Sequence, residues 1–262
     1  RRGAAAGAAT GQAGAAVLRL AALNARFQSG LVNPLDDAVL AATGKAGLDL
    51  AAWSKIDEIP YDFVRKCLSV VVADAGGARQ LISKGALDKI LDRCVSVGDP
   101  AAALDAGWRA QIEARYDEWS AQGYRVLGVA TRQVELRQAS YTRADECGLC
   151  FAGFLLFMDP PKADARQTLV DLAQRGVALK IITGDNRKVA RHVAAAVGLP
   201  VEHLLTGGEL DEMGDEALLH AAGLCTVFAE VDPNQKERII LALQKTGHVV
   251  GYMGDGIKDA LA

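Results

Sequence analysis

Three short segments of this 262-residue chain combine the residue types that phosphoryl transfer requires. Residues 181–185 read Ile-Ile-Thr-Gly-Asp, an apolar run that stops at a tight acidic loop. Residues 253–259 read Met-Gly-Asp-Gly-Ile-Lys-Asp, directly after the apolar Val249 and Val250. Between them Lys236 stands one turn into a segment opened by Asp232 and Pro233. A Thr hydroxyl can hold a phosphate oxygen, an ammonium can neutralise its charge, and a carboxylate can take Mg²⁺. On that chemistry Thr183, Gly184, Asp185, Lys236 and Asp255 are the candidate catalytic residues, and Asp255 and Asp259 the candidate metal ligands. Gly184 is read as the residue that lets the chain turn tightly, with free N–H groups beyond it facing an anion. Plainer readings stand beside these: a turn with an Asp N-cap at 183–185, an ordinary strand-to-helix turn at 254–256, and a solvated surface Lys236.

The elements that must carry these residues fall into two styles, with the change near Asp159-Pro160-Pro161. Before it, apolar segments and turns alternate in an antiparallel manner. Helices are expected over 15–28, over 35–42 (opened by Pro34 and Asp36), over 85–93 and over 104–122. Strands are expected over 67–73 and 79–83, joined by the turn signal Ala75-Gly76-Gly77, and over 125–131 and 149–157. After the change, strands over 178–183, 225–229 and 248–253 alternate with helices over 162–175, 186–197, 211–221 and 233–245. That alternation implies a parallel sheet, with ligands at the carboxyl ends of its strands. The fold expected is therefore α/β: an antiparallel-sheet domain over 17–157, then a partial Rossmann-like parallel-sheet domain over 158–262. An Ala/Gly-rich lead-in occupies 1–16, and its apolar run is too broken by glycine for a signal peptide. Asp159 reads as a hinge residue.

Half of the residues are hydrophobic, enough for a sizeable core, and the net charge of −3 argues against nucleic acid as the main partner. No run approaches the length of a membrane span. The five cysteines are odd in number and irregular in spacing, which suits a reducing compartment. Cys147 and Cys150 form a lone Cys-x-x-Cys with no nearby second pair for zinc.

Residues 159–262 resemble the haloacid-dehalogenase-type phosphorylation domain of P-type ATPases. The matching segments are Asp159-Pro160-Pro161-Lys162, Ile182-Thr183-Gly184-Asp185, Phe228-Ala229-Glu230-Val231-Asp232-Pro233 with Lys236, and Gly254-Asp255-Gly256. The resemblance implies that Thr183 contacts the transferred phosphoryl group, Lys236 balances its charge and Asp255 coordinates Mg²⁺. The earlier region is similar to the family's nucleotide-binding domain. Lys84-Gly85-Ala86 matches a motif whose Lys lines the ATP pocket. Pro60-Tyr61-Asp62-Phe63, followed by Ser69-Val70-Val71, matches the segment whose aromatic stacks on adenine; Tyr61 aligns best, with Phe63 as its neighbour. Asp36 takes the place of an acidic residue near the base, and Arg125 that of a phosphate-side Arg. Within the family, residues 53–63 and 247–253 look most like the magnesium-importing branch. ATP and Mg²⁺ are the implied cofactors. The implied partner is a transported cation, Mg²⁺ by resemblance, crossing membrane helices outside this chain, which itself would lie at the cytoplasmic face.

Two departures bear on activity. The family's phosphorylated Asp sits in an Asp-Lys-Thr-Gly-Thr motif, and nothing in residues 1–60 matches it. Lys258 stands where the family has Asn, beside the expected metal. The chain is thus expected to be part of a larger ion-translocating ATP hydrolase, or a decayed derivative, and inactive in isolation. A non-catalytic nucleotide-binding module and a soluble phosphatase of the haloacid-dehalogenase class are the alternatives.

Overall fold

The structure, a computed structural model, describes residues 5–7, 12–30, 33–62, 64–136, 138 and 140–254, apart from the side chains of 5–7 and 12. Phe63, Asp255, Lys258 and Asp259 lie outside the described residues. The chain divides into two compact units, Arg1–Trp119 with Tyr124–Asp159, and Ser120–Gly123 with Pro160–Ala262.

The first unit runs β1 (Ala5–Gly7), α1 (Gln12–Phe27), α2 (Pro34–Lys45), β2 (Ser54–Asp62), β3 (Cys67–Ala73), β4 (Arg79–Gly85), α3 (Leu87–Leu91), β5 (Cys94–Val97), β6 (Ala102–Ala103), α4 (Ala106–Ala121), β7 (Arg125–Val134) and β8 (Leu149–Met158). Its sheet has the order β2-β3-β4-β7-β8-β5-β6, with β1 also pairing β8. All neighbours are antiparallel except β5 and β8. Successive side chains point to opposite faces, and both faces are covered. On one, Leu23 of α1 and Val39 of α2 pack with Val70, Val72 and Ile82. On the other, Ile90 of α3 and Ile112 of α4 pack with Cys67, Val71 and Leu81. Cover on both sides explains why β3 reads as a nearly unbroken apolar run and is buried along its whole length.

The second unit runs α5 (Ala165–Gln174), β9 (Ile181–Ile182), α6 (Arg187–Val197), β10 (Leu204–Thr206), α7 (Gly207–Glu212), α8 (Asp215–Leu224), β11 (Val227–Ala229) and α9 (Pro233–Lys245). Its three strands are parallel, in the order β10-β11-β9. Phe228 packs with Leu210, Leu218, Ile239 and Leu243, while Ala190 and Ala194 of α6 pack against Val227 and Ala229. The chain is therefore mixed α/β, with a largely antiparallel sheet and a separate parallel one.

The structure departs from the sequence expectations at several elements. The helix expected over 85–93 shrinks to the five residues of α3, because Gly85 is held in the ladder between Cys67 and Gly128. A strand stands over Ser54–Asp62, where the mixed polar run and Pro60 gave no strand signal; β2 is an edge strand, which tolerates proline. The helix expected over 211–221 is split into α7 and α8 around Met213 and Gly214. Residues 248–253, expected as the third parallel strand, join no ladder among the described residues; the third parallel strand is β10. Within the Ala/Gly-rich opening, Ala5–Gly7 pairs β8 and α1 begins at Gln12.

Candidate functional site

In the first unit the candidate residues gather where four strands end together. One register row crosses them: Asp62 on β2, Cys67 on β3, Gly85 on β4 and Gly128 on β7. Between the pairs Ile59–Ser69 and Asp62–Cys67, two residues of β2, Pro60 and Tyr61, oppose the single Leu68. That is a β-bulge, a device that re-aims a side chain and frees a backbone group from the ladder. It sits at Tyr61, which remains 45% exposed in spite of its size. Leu68 also pairs Lys84, so Tyr61 and Lys84 share one row of the sheet. Arg125 opens β7 as an exposed side chain beyond the Gly85–Gly128 pair.

Lys84 and Asp36 meet as a buried ion pair, with side chains 8% and 11% exposed. Asp36 lies in the first turn of α2, a helix opened by Pro34 and by Asn33, whose side chain accepts from the Leu35 N–H. Gln28 donates to the other carboxylate oxygen of Asp36 at 3.4 Å. Burial pushes the Lys84 ammonium below its usual range, and the Asp36 charge partly offsets that. The two sequence candidates thus come together, with the Lys fixed on its carboxylate. Gly85 is required for close approach: a Cβ there would stand 2.4 Å from the Lys66 carbonyl and 2.6 Å from Cys67 Cα. Lys66 itself adopts φ +50° and its carbonyl accepts from the Ala86 N–H at 2.9 Å.

Beneath this corner lies a charged cluster that the sequence reading missed. Arg65 is 8% exposed and Glu146 2%. Arg65 Nη1 donates to both Glu146 carboxylate oxygens at 2.5 Å, and its Nε donates to Asp62 at 3.1 Å. Its Nη2 donates to the Pro60 carbonyl. Ser69 donates to Glu146 at 2.5 Å and lies 2.6 Å from the Ser83 hydroxyl. Burial disfavours the Arg65 charge, yet its hydrogen bond and attraction to Glu146 outweigh that and raise its affinity for the proton. Asp62 is held below the usual carboxylate range, first by the Arg65 backbone N–H. No spacing signal could reveal the pair, since 81 positions separate its members.

In the second unit Thr183 and Asp185 follow β9 and face each other. The Thr183 hydroxyl donates to Asp185 Oδ2 at 3.2 Å, and the Asp185 N–H donates to that hydroxyl at 3.1 Å. Thr183 N–H donates to Phe228 O, and its carbonyl accepts from Val231 N–H, tying the loop to the end of β11. Asn186, rather than Asp185, caps α6 by accepting from Val189 N–H at 2.9 Å. Gly184 is exposed, and an added Cβ would meet only Val231 O at 3.5 Å, an ordinary contact; the turn does not itself demand glycine. Lys236 stands in the first turn of α9, which Asp232 and Gln235 open as a reciprocal capping box. Its ammonium lies 5.6 Å from the centre of the Tyr252 ring.

Comparison with known proteins decides the family. A family model for the P-type ATPase cytoplasmic domain N matches residues 29–164, more than half of the chain. This chain belongs to the P-type ATPases. It is 42% identical over 94% of its length to the "Magnesium-transporting ATPase, P-type 1" of Salmonella typhimurium, and 42% identical over 97% to the protein of that name in Escherichia coli. A "Calcium-transporting ATPase" of Bacillus subtilis is 31% identical over 88% of the chain. The chain spans 28%, 29% and 27% of these relatives' lengths. The match of the family model covers β2–β4, β7 and β8, the strands that carry the Tyr61, Lys84 and Arg125 corner of this P-type ATPase. Among the described residues no helix is long and apolar enough to cross a membrane, and no three His, Cys, Asp or Glu side chains gather as metal ligands.

Proposed function

We propose that this chain is the ATP-binding and phosphoryl-transfer region of a cation-transporting P-type ATPase, with Mg²⁺ as the transported ion, as the names of its relatives suggest. The whole protein would place it at the cytoplasmic face of a membrane, with the passage for the cation built by other segments. Adenine stacks on Tyr61, which the bulge presents and which remains 45% exposed. Phe63, two positions on, is a neighbour by sequence alone. Asp36, oriented by its ion pair with Lys84, accepts from the exocyclic amine of the base. Arg125 meets the phosphates, where a guanidinium fork suits two oxygens at once. The γ-phosphoryl then passes to an aspartate elsewhere in the same protein. In the second unit the Thr183 hydroxyl holds a phosphoryl oxygen and Lys236 neutralises its charge, in a haloacid-dehalogenase-like domain. The described residues do not make a Mg²⁺ site; Asp255 and Asp259 are left as its candidate ligands by sequence alone.

The observation that carries this reading is the buried ion pair of Asp36, on α2, with Lys84, which shares a sheet row with the half-exposed Tyr61. Surface aromatics are ordinary, but a desolvated ion pair whose Lys lies on the same row of the sheet is costly to build for stability alone. Calorimetric titration of the chain with ATP tests it. Saturable binding that Tyr61→Ala weakens about tenfold is expected, since stacking of a base on an aromatic ring is worth roughly 1–3 kcal/mol. No saturable binding, or equal affinity in the variant, would contradict it.

A further inference from the structure

The bulge at Pro60 and Tyr61 poses a backbone problem. Two residues facing one leave an extra carbonyl outside the ladder, unpaired unless another group reaches it. The Pro60 carbonyl is not left so, because the Arg65 guanidinium donates to it. The same guanidinium also grips Asp62, the last residue of β2. Asp62 in turn accepts from the N–H groups of Val64 and Arg65 at 2.9 and 2.6 Å, and its carbonyl accepts from Lys66 N–H at 2.8 Å. Arg143 reaches Asp62 from outside at 3.0 Å. One planar cation thus spans both ends of the segment that presents Tyr61.

That cation must itself be fixed, and Glu146 does so. The Glu146 side chain is fully buried, accepts from Arg65 and Ser69, and has Arg93 Nε at 3.7 Å. Glu146 is anchored by its place between the Arg143–Asp145 turn and β8. Five donors in a rigid fork can serve Pro60, Asp62 and Glu146 together; an ammonium cannot match that geometry.

We propose that Arg65, oriented by Glu146, is the positioning residue that sets the Pro60–Tyr61 bulge and so pre-shapes the aromatic platform for the base. This rests on the reading of Tyr61 as the adenine contact. Platform order gained before binding need not be supplied by the ligand, so loss of the clamp lowers affinity without removing any group that touches nucleotide.

The test uses the whole 262-residue chain and ATP. In Arg65→Met/Glu146→Leu the buried charges leave together, an exchange for apolar residues that is often neutral or stabilising. The expected result is melting near that of the unaltered chain, ATP affinity about tenfold weaker, and faster amide exchange confined to Val64, Arg65 and Lys66, whose N–H groups Asp62 holds. A folded double variant that binds ATP as the unaltered chain does, or keeps those amides protected, overturns the proposal. Should that variant not fold, Arg65→Lys replaces it: the charge remains toward Glu146 while the fork is lost, and undiminished affinity again overturns the clamp. Tyr61→Ala, run alongside, separates the two claims. If it weakens binding while the Arg65 variants do not, the clamp alone falls; if the unaltered chain binds no ATP, the clamp falls with the nucleotide reading.

Discussion

The two units hold their candidate residues in different ways. In the first, the strands run to ten residues, and the side chains at the site are fixed by buried ion pairs that reach across the sequence, Asp36 to Lys84 and Arg65 to Glu146. In the second, the strands have two or three residues, and the loops carry caps made by near neighbours, Thr183 to Asp185, Asp232 to Gln235 and Thr206 to Glu209, beside the backbone bonds that tie Thr183 to Phe228 and Val231. Long-range pairing makes the geometry of the first unit a property of its whole sheet. In the second, caps within each loop and a few backbone bonds between strand ends set the geometry at Thr183. Substitutions should therefore spread in the first unit and remain confined in the second.

The largest effect is expected from Glu146→Ala. It strands the buried Arg65 charge, and breaking a buried pair costs about 3–5 kcal/mol. Denaturant unfolding should show that loss in the transition of the first unit; a loss below about 1 kcal/mol, the scale of exposed pairs, would break the contrast. Gly85→Ala comes next. Its methyl would be driven into the Lys66 carbonyl and Cys67 backbone, neither of which can rotate away. Overpacking of this kind costs about 1–3 kcal/mol, and the same unfolding experiment checks it. The smallest effect belongs to the second unit. Glu209 caps α7, and Arg187 above all, then the Thr206 N–H, holds its pKa down to about 2. Because the folded chain releases that proton more readily than the unfolded chain, protonation favours unfolding. The stability it contributes is present above the ordinary Glu value of 4.5 and drains away as the pH falls toward about 2. Both partners are over 40% exposed, so solvent and salt screen the gain. Glu209→Gln should flatten the acid limb of the second unit's stability curve slightly and leave the first unit's unchanged.

Legibility in the sequence follows the same division. Elements with one dominant local signal were readable to the residue: β3 from its β-branched run, and α9 from Asp232-Pro233 to Lys245. Elements decided by partners were not. β2 is polar and holds a proline, and only its place on the edge of a sheet makes it a strand. Residues 248–253 look like a strand, yet strands exist through neighbours, and none of the described residues pairs them. At the site, Tyr61, Lys84 and Arg125 could be picked out because each stands in a short recognisable motif. Arg65 and Glu146 could not: singly they look like a surface Arg and a surface Glu, and only the closed sheet brings them together. Sequence reading found the groups proposed to touch ligand and missed those that hold them in place.

The base of ATP is proposed to lie on the β2–β3 corner of the first unit. Photolabelling with 8-azido-ATP, followed by peptide mapping, tests it most directly. A label on the peptide containing Tyr61, suppressed by excess ATP, is expected. A label confined to the second unit, or one that excess ATP leaves undiminished, would contradict it.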